Sequence, residues 1–278
     1  MQLVESHFEN AYVGTEERDI RKDLNDRMWI KTSYNFLMSH KGFRPGMLHG
    51  LLGLTSGGKT TMIRSLVMDF LHFSAEDDQV LLWLSEESRE NYKNNISYSG
   101  FSNEEMHKKH KQVQLFSEVD SNKMSPQDKK KVIEDHLTHG NYKLMILDNI
   151  STSPLFGGSH KSYEAGVDWL KALAHKTNVA ILIVMHTAKN TSQDKLIQPE
   201  DARNSGRLPN VCEYFYILQG FTVESQRHTF LRVAKHRNHN IVDSLFDLQY
   251  SPKHRIFFKD NAKKFSEFKK LFKARDRL

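Results

Sequence analysis

Short apolar runs alternate with longer amphipathic stretches over roughly the first two thirds of the chain. Met47–Leu52 reads as a strand entered through the Pro45-Gly46 turn, and Val80–Leu84, Leu144–Leu147 and Val179–Met185 are further apolar runs of strand length. Gln112–Ser117 reads as a weaker strand. Between them the period becomes helical. Lys59–Phe73 places Ile63, Leu66, Val67 and Phe70 on one face, Pro126–Thr138 carries proline in its first turn, and Ser162–His175 follows the same pattern. This alternation predicts an α/β fold with a mostly parallel central sheet flanked by helices. After Tyr214 the spacing tightens. Tyr214–Leu218, Thr229–Ala234, Ser244–Leu248 and Arg255–Phe258 follow one another closely and predict antiparallel C-terminal strands. Three parts are expected: a charged N-terminal arm or linker helix over residues 1–40, a body over 41–258, and a basic amphipathic tail helix over 259–278.

Composition narrows the picture. A chain of 278 residues suits one large domain with an arm, and 17 Phe with 9 Tyr supply core material, which excludes global disorder. The single cysteine, Cys212, excludes a disulfide framework or a multi-cysteine zinc site within one chain. The longest apolar run, Val179–Met185, is far shorter than the roughly 18 residues that span a bilayer. Met1–Ser6 has neither the basic start nor the long apolar stretch of a secretory signal, so a reducing, cytoplasmic location without membrane contact is expected. The net charge of +6 is unevenly spread, because Lys259–Leu278 holds eight basic and three acidic residues and so accounts for five of the six charges. The body is nearly neutral, and net charge alone says little about nucleic acid. Phe265, Phe268, Leu271 and Phe272 share one helical face of the tail. That stripe fits docking on the chain's own body or a neighbour, or a contact with DNA, a membrane or a partner protein.

The strongest local signal is Gly53-Leu54-Thr55-Ser56-Gly57-Gly58-Lys59-Thr60, a complete G-x-x-x-x-G-K-[ST] between a predicted strand and a predicted helix. Glycines there let backbone N–H groups approach phosphate oxygens, and the following helix N-terminus adds partial positive charge. Gly53, Thr55, Ser56, Gly57, Gly58, Lys59, Thr60 and Thr61 are therefore candidate contacts to ATP, with Lys59 reaching the β- and γ-phosphates and Thr60 a ligand for Mg²⁺. Leu144–Asp148 is an apolar strand ending in a carboxylate, so Asp148 is the second candidate for the metal. Ser85-Glu86-Glu87 ends another strand with two carboxylates at the edge where a parallel sheet opens its ligand crevice. Either could act on water beside a γ-phosphate.

Further along come His186-Thr187, then Glu200-Asp201-Ala202-Arg203-Asn204-Ser205-Gly206, then Lys235-His236-Arg237-Asn238. Taken in order, these segments resemble the RecA-like P-loop motor of DnaB-family ring helicases, with Twinkle, the plasmid RepA helicases and the KaiC-like ATPases as relatives. The resemblance runs from about Gly42 to Phe258. It implies Glu87 as the base, in an S-x-E setting, and His186 as a γ-phosphate sensor where DnaB usually has Gln. It also implies that the 201–206 segment, with Ala202 in place of Leu, borders a channel loop. Lys235 and Arg237 match a K-x-R finger that reaches the neighbouring subunit's nucleotide. Such a protein would be a hexameric ring, or a filament, hydrolysing ATP at subunit interfaces on single-stranded DNA, with a loader or replication partner. A RecA-class recombinase and a KaiC-like regulatory ATPase that does not bind DNA remain alternatives.

No RNP motif, zinc finger or helix-turn-helix appears in the sequence. The nucleic-acid candidates are Lys161, in the glycine-containing loop Pro154–Ser162, and Lys189, Arg203 and Arg207 in Thr187–Asn210. Flexible loops carrying cations suit backbone tracking without base readout, and they equally suit plain solvated surface.

Overall fold

The structure is a computed structural model that describes residues 30–38, 42–96, 109, 111–157, 159–188, 191, 195–203, 207–237 and 244–275. The described helices are α1 (Asn35–Met38), α2 (Lys59–Phe73), α3 (Arg89–Ile96), α4 (Pro126–His139), α5 (His160–Thr177), α6 (Arg207–Val211) and α7 (Phe265–Lys273). The strands are β1 (Leu48–Gly53), β2 (Gln79–Leu84), β3 (Val113–Ser117), β4 (Tyr142–Asp148), β5 (Ala180–His186), β6 (Tyr214–Val223), β7 (Gln226–His236), β8 (Ser244–Ser251) and β9 (Ile256–Lys263). They form one nine-stranded sheet in the order β3-β2-β4-β5-β1-β6-β7-β8-β9. The ladders from β3 through β1 to β6 are parallel, and β6 to β9 are joined antiparallel. The expected α/β class, with its mostly parallel sheet and antiparallel C-terminal strands, holds.

Strand alternation divides the core between the two faces of the sheet. Leu51, Leu82 and Val184 pack with Leu66, Val67 and Phe70 of α2 on one face. Leu48, Leu52, Trp83 and Ile183 pack with Ile133 and Leu137 of α4 and Leu170 of α5 on the other. All six residues of β1 are buried. Burying one such leucine contributes roughly 1.5–3 kcal/mol relative to leaving it in water.

The structure lengthens or shifts the expected elements. The longest change is the β6–β7 hairpin of 10 and 11 residues, whose outer ends carry polar side chains that masked its extent. It turns on Glu224 and Ser225 at φ 48 and φ 63, a left-handed pair built without the glycine or asparagine that usually announces such a turn. The tail boundary is corrected. β9 runs through residue 258 to Lys263, so Lys259 and Lys263 lie on a strand and the helix begins only at Phe265. That helix docks on its own body. Phe268 is 2% exposed and packs with Phe221, Phe230 and Leu245, while Lys264, Lys269, Lys270 and Lys273 stay exposed.

The arm boundary shifts in the same way. Residues 1–29 lie outside the described residues, but Tyr34, Phe36 and Leu37 are buried in the main core. The carboxylate of Asp260 in β9, 1% exposed, holds this segment. It accepts the backbone N–H groups of Asn35 and Phe36, each at 2.8 Å, and the Asn35 side-chain amide at 3.2 Å. The Tyr34 hydroxyl adds a bond to the Phe257 carbonyl. Replacing Asp260 with Ala orphans the buried N–H of Phe36 and the part-buried N–H of Asn35. We expect a loss of roughly 2–3 kcal/mol, measurable as a lower midpoint in chemical denaturation, with Asp260→Asn retaining part of it.

Candidate active site at the phosphate loop

β1 delivers the chain to the C-terminal edge of the sheet at Gly53. The loop then turns back through a Gly57 N–H bond to the Leu54 carbonyl at 3.0 Å. Gly57 is required by space, since a Cβ there would stand 2.9 Å from the Leu54 oxygen; Gly58 is required by conformation, at φ +95. Ser56 also adopts a positive φ, 60, so the loop holds its shape against local preference. The N-terminus of α2 follows directly, with Lys59 as its first residue.

Lys59 is 5% exposed, and its ammonium lies inside the loop. Nζ donates to the carbonyls of Gly53 at 3.0 Å and Leu54 at 2.6 Å. Burial lowers its pKa to about 8, against the opposing pull of Asp148 and Glu86. The Thr60 hydroxyl donates to Asp148 Oδ2 at 3.4 Å, so the two expected metal ligands meet across the crevice. Burial pushes Asp148 up to about 6; Lys59 counteracts this, while Glu86 and Glu87 add to it. The donor set is all oxygen, which suits a hard cation such as Mg²⁺. The loop, the cation at its centre and the two oxygen ligands therefore fit a metal-bound triphosphate.

The two strand-end carboxylates face different ways. Glu87 Oε1 lies 3.6 Å from Arg64 of α2. Glu86 is more exposed and stands 4.0 Å from His186 Nε2. His186, at the end of β5, is fixed from several sides. Its backbone N–H donates to Ser151 Oγ at 3.1 Å, its Nε2 meets Asn149 Nδ2 at 3.0 Å, and its Nδ1 meets Thr55 Oγ1 at 3.4 Å. Behind it, Thr152 and Ser85 are linked hydroxyl to hydroxyl at 2.7 Å, and the Asn149 N–H donates to Ser85 Oγ at 2.9 Å. Arg64, Asn149, Thr152 and the role of Ser85 were not found from sequence. The only signal was the polar run following Asp148, which reads equally well as a turn.

A cavity of about 600 Å³ opens beside the loop, lined by Ser56, Gly58 and Thr61 together with Arg227, His228 and Tyr250 of the antiparallel strands. Tyr250 keeps an exposed ring there, and Arg227 donates to the Ser56 carbonyl at 3.4 Å.

The remaining candidates are scattered. Lys161 is exposed in the first turn of α5. Arg203 belongs to the nucleotide edge: its N–H donates to the His186 carbonyl at 2.9 Å. Arg207 is forked onto both oxygens of Asp168 at 2.7 Å. Lys189 and residues 204–206 lie outside the described residues. Lys235 Nζ donates to the carbonyls of Pro209 and Asn210 at 2.8 Å each, and burial lowers its pKa. Arg237 lies 3.6 Å from Glu213, a buried carboxylate that also accepts the Leu48 N–H at 3.0 Å. Strand register places this cation pair away from the chain's own phosphate loop. His49 pairs with Tyr214 and Tyr214 with His236, so β7 ends at the opening edge of β1 while the loop leaves from its far end.

Residues 22–192 match the family model described as an AAA domain, more than half of the chain. The chain belongs to this family of P-loop ATPases. The AAA match takes in the phosphate loop, Glu86, Glu87, Asp148 and His186, and ends before Lys235 and Arg237. No curated protein matches the chain. AAA-domain membership implies nucleotide binding, usually with Mg²⁺, at the loop just described.

The raised pKa of Asp148 fixes a sign for stability. A carboxyl whose folded pKa lies above its unfolded value favours the fold below about pH 4 and opposes it above about pH 6. Asp148→Asn should therefore stabilise the nucleotide-free chain by about 1–2 kcal/mol at pH 7, with the gain vanishing towards pH 4. The same variant should lose Mg²⁺-dependent nucleotide binding, read by thermal shift with and without Mg-ATP.

Proposed function

We propose that this AAA-family ATPase is a ring-forming motor on single-stranded DNA of the DnaB type, hydrolysing Mg-ATP at interfaces between copies. The observation that carries the reading is the placement of Lys235 and Arg237. They lie at the sheet edge opposite the phosphate loop, and the four residue steps from His49 to Gly53 alone span roughly 13 Å. A cation pair so placed serves a neighbour's γ-phosphate rather than its own. The motif order described above supplies the DnaB resemblance, and Lys161 and Arg203 supply cations near the nucleotide edge.

In this reading the loop N–H groups, Lys59 and the first turn of α2 bind the phosphates, and the cavity bordered by Tyr250 receives the base. Thr60 and Asp148 would hold Mg²⁺, which supplies charge neutralisation on the β- and γ-phosphate oxygens when bound. Glu87 takes the proton of the attacking water, held in place by Arg64. A second assignment gives that task to Glu86, favoured by its nearness to His186 and by its influence on Lys59. His186 hydrogen-bonds the γ-phosphate, and Arg237 from a neighbour stabilises the charge that develops on it. A regulatory ATPase that does not bind DNA is the second reading of the whole. It is favoured by the fork of Arg207 on Asp168, which occupies one of the cations assigned to DNA.

The deciding measurement is ATP turnover with and without single-stranded DNA, alongside imaging of the assembly with nucleotide. DNA stimulation with closed rings supports the motor, open filaments support a recombinase, and turnover indifferent to DNA supports the regulatory reading. Lys59→Ala should abolish turnover; retained turnover would sink the catalytic assignment. Glu87→Gln should cut kcat by at least roughly 100-fold with ATP still bound, and the same result from Glu86→Gln instead would move the base. Arg237→Ala should be inactive alone and regain part of its turnover when mixed with Lys59→Ala, because a mixed interface pairs an intact loop with an intact finger.

A further inference from the structure

The side chain of Asn149 touches the His186 ring at Nε2. Which atom of the amide points there is settled by its other end. The backbone N–H of Thr152 donates to Asn149 Oδ1 at 3.1 Å, and a backbone N–H has no other role than donor. The Thr152 hydroxyl approaches the same oxygen at 3.1 Å. Turning the amide over would set its NH₂ against the Thr152 N–H. The group facing His186 is therefore NH₂, a donor, at 3.0 Å from Nε2. Nε2 must accept, and an imidazole that accepts at Nε2 carries its proton on Nδ1. Nδ1 is the atom turned to the phosphate loop, 3.4 Å from Thr55 Oγ1.

We propose that Asn149 is a positioning residue that locks His186 in the Nδ1–H tautomer, so that the ring offers a hydrogen-bond donor towards the phosphate loop. The inference rests on the nucleotide reading for its purpose, but the tautomer itself depends only on Asn149, Thr152 and His186. Protonation of the ring would place a second N–H against the Asn149 NH₂, so the same contact keeps the ring neutral. Burial, and the cations Lys59 and Arg203, push the His186 pKa in the same direction, against Glu86. Glu86 could otherwise draw a proton onto Nε2, but at 4.0 Å it is beyond hydrogen-bond reach. A neutral ring with a fixed N–H can donate to a phosphate oxygen and release it without a proton moving. The alternative tautomer would turn a lone pair towards the phosphate and repel it.

The test is the tautomer of His186 in the nucleotide-free chain, read from long-range ¹H–¹⁵N correlations of the imidazole and assigned with His186→Gln. The wild-type ring is expected as Nδ1–H. Asn149→Asp, whose carboxylate accepts, should convert it to Nε2–H. Asn149→Ala, which removes the donor without adding charge, should let it shift the same way. A wild-type ring protonated on Nε2, or a ring unchanged in both variants, overturns the lock. This arm needs no nucleotide, so it decides the lock even if the chain proves not to turn over ATP. In turnover, Asn149→Ala should lower kcat roughly tenfold or more while the Kd for ATP moves less than about threefold. His186→Gln carries its own amide donor and should make turnover indifferent to Asn149→Ala. The same tenfold loss in that background would show that Asn149 acts by another route.

Discussion

The structure depends on the burial of one strand on both faces and both edges. β1 is hydrogen-bonded to β5 on one side and β6 on the other, and none of its side chains reaches water. A strand so enclosed can leave the sheet only at its ends. At its C-terminal end the sheet offers no further pairing, and the chain must turn sharply into α2. Gly57 and Gly58 make that turn possible, and they leave backbone N–H groups and a helix N-terminus gathered at one point. The parallel neighbours bring their own C-terminal ends to the same edge, which is why Ser85, Asp148 and His186 converge although they are far apart in sequence. The site is a by-product of strand direction.

That convergence concentrates charge under conditions that do not favour it. Lys59 is buried and Asp148 half-buried, and their mutual attraction does not restore either to its ordinary titration range. Two further carboxylates stand on the same edge. Lys59 donates to carbonyl oxygens of the loop's own backbone, and phosphate oxygens are stronger acceptors for the same ammonium. Polar side chains one layer back, from Ser85 through Thr152 and Asn149 to His186, are by contrast matched donor to acceptor. The front of the site gathers charges that burial opposes, and its support is a connected network of donors and acceptors.

Much of this was legible in the sequence because it is local. The phosphate loop, the Asp148 strand and the first face of α2 are each written in consecutive residues, and the strand–helix alternation gave the parallel sheet. What escaped was set by partners distant in sequence. Arg64 meets Glu87 only because β2 ends beside α2. The donor and acceptor ends of Asn149 are fixed by Thr152 and His186, and no pattern in the sequence distinguishes that asparagine from one in an ordinary turn. The hairpin of β6 and β7 outruns its apolar pattern because its outer half alternates irregularly and its turn uses Glu224 and Ser225. The apolar stripe of α7 was legible as a stripe, but its acceptor, around Phe221 and Phe230, is assembled by two antiparallel ladders that sequence period alone does not align.

The clamp of Asp260 on Asn35 and Phe36 joins residues 225 and 224 positions apart. A contact of that span cannot form until the chain from α1 through β9 is all present. The buried aromatic residues Tyr34 and Phe36 must wait for β8 and β9 before they have a complete surface to pack on. Until then the chain carries an apolar Tyr34–Leu37 segment and a sheet whose β7 edge has no partner. High contact order of this kind slows closure and exposes strand edges in the interval. β9 therefore completes the surface on which the Tyr34–Leu37 segment closes, so a chain without Asp260 would keep every residue of the phosphate loop and yet lose the clamp on that segment.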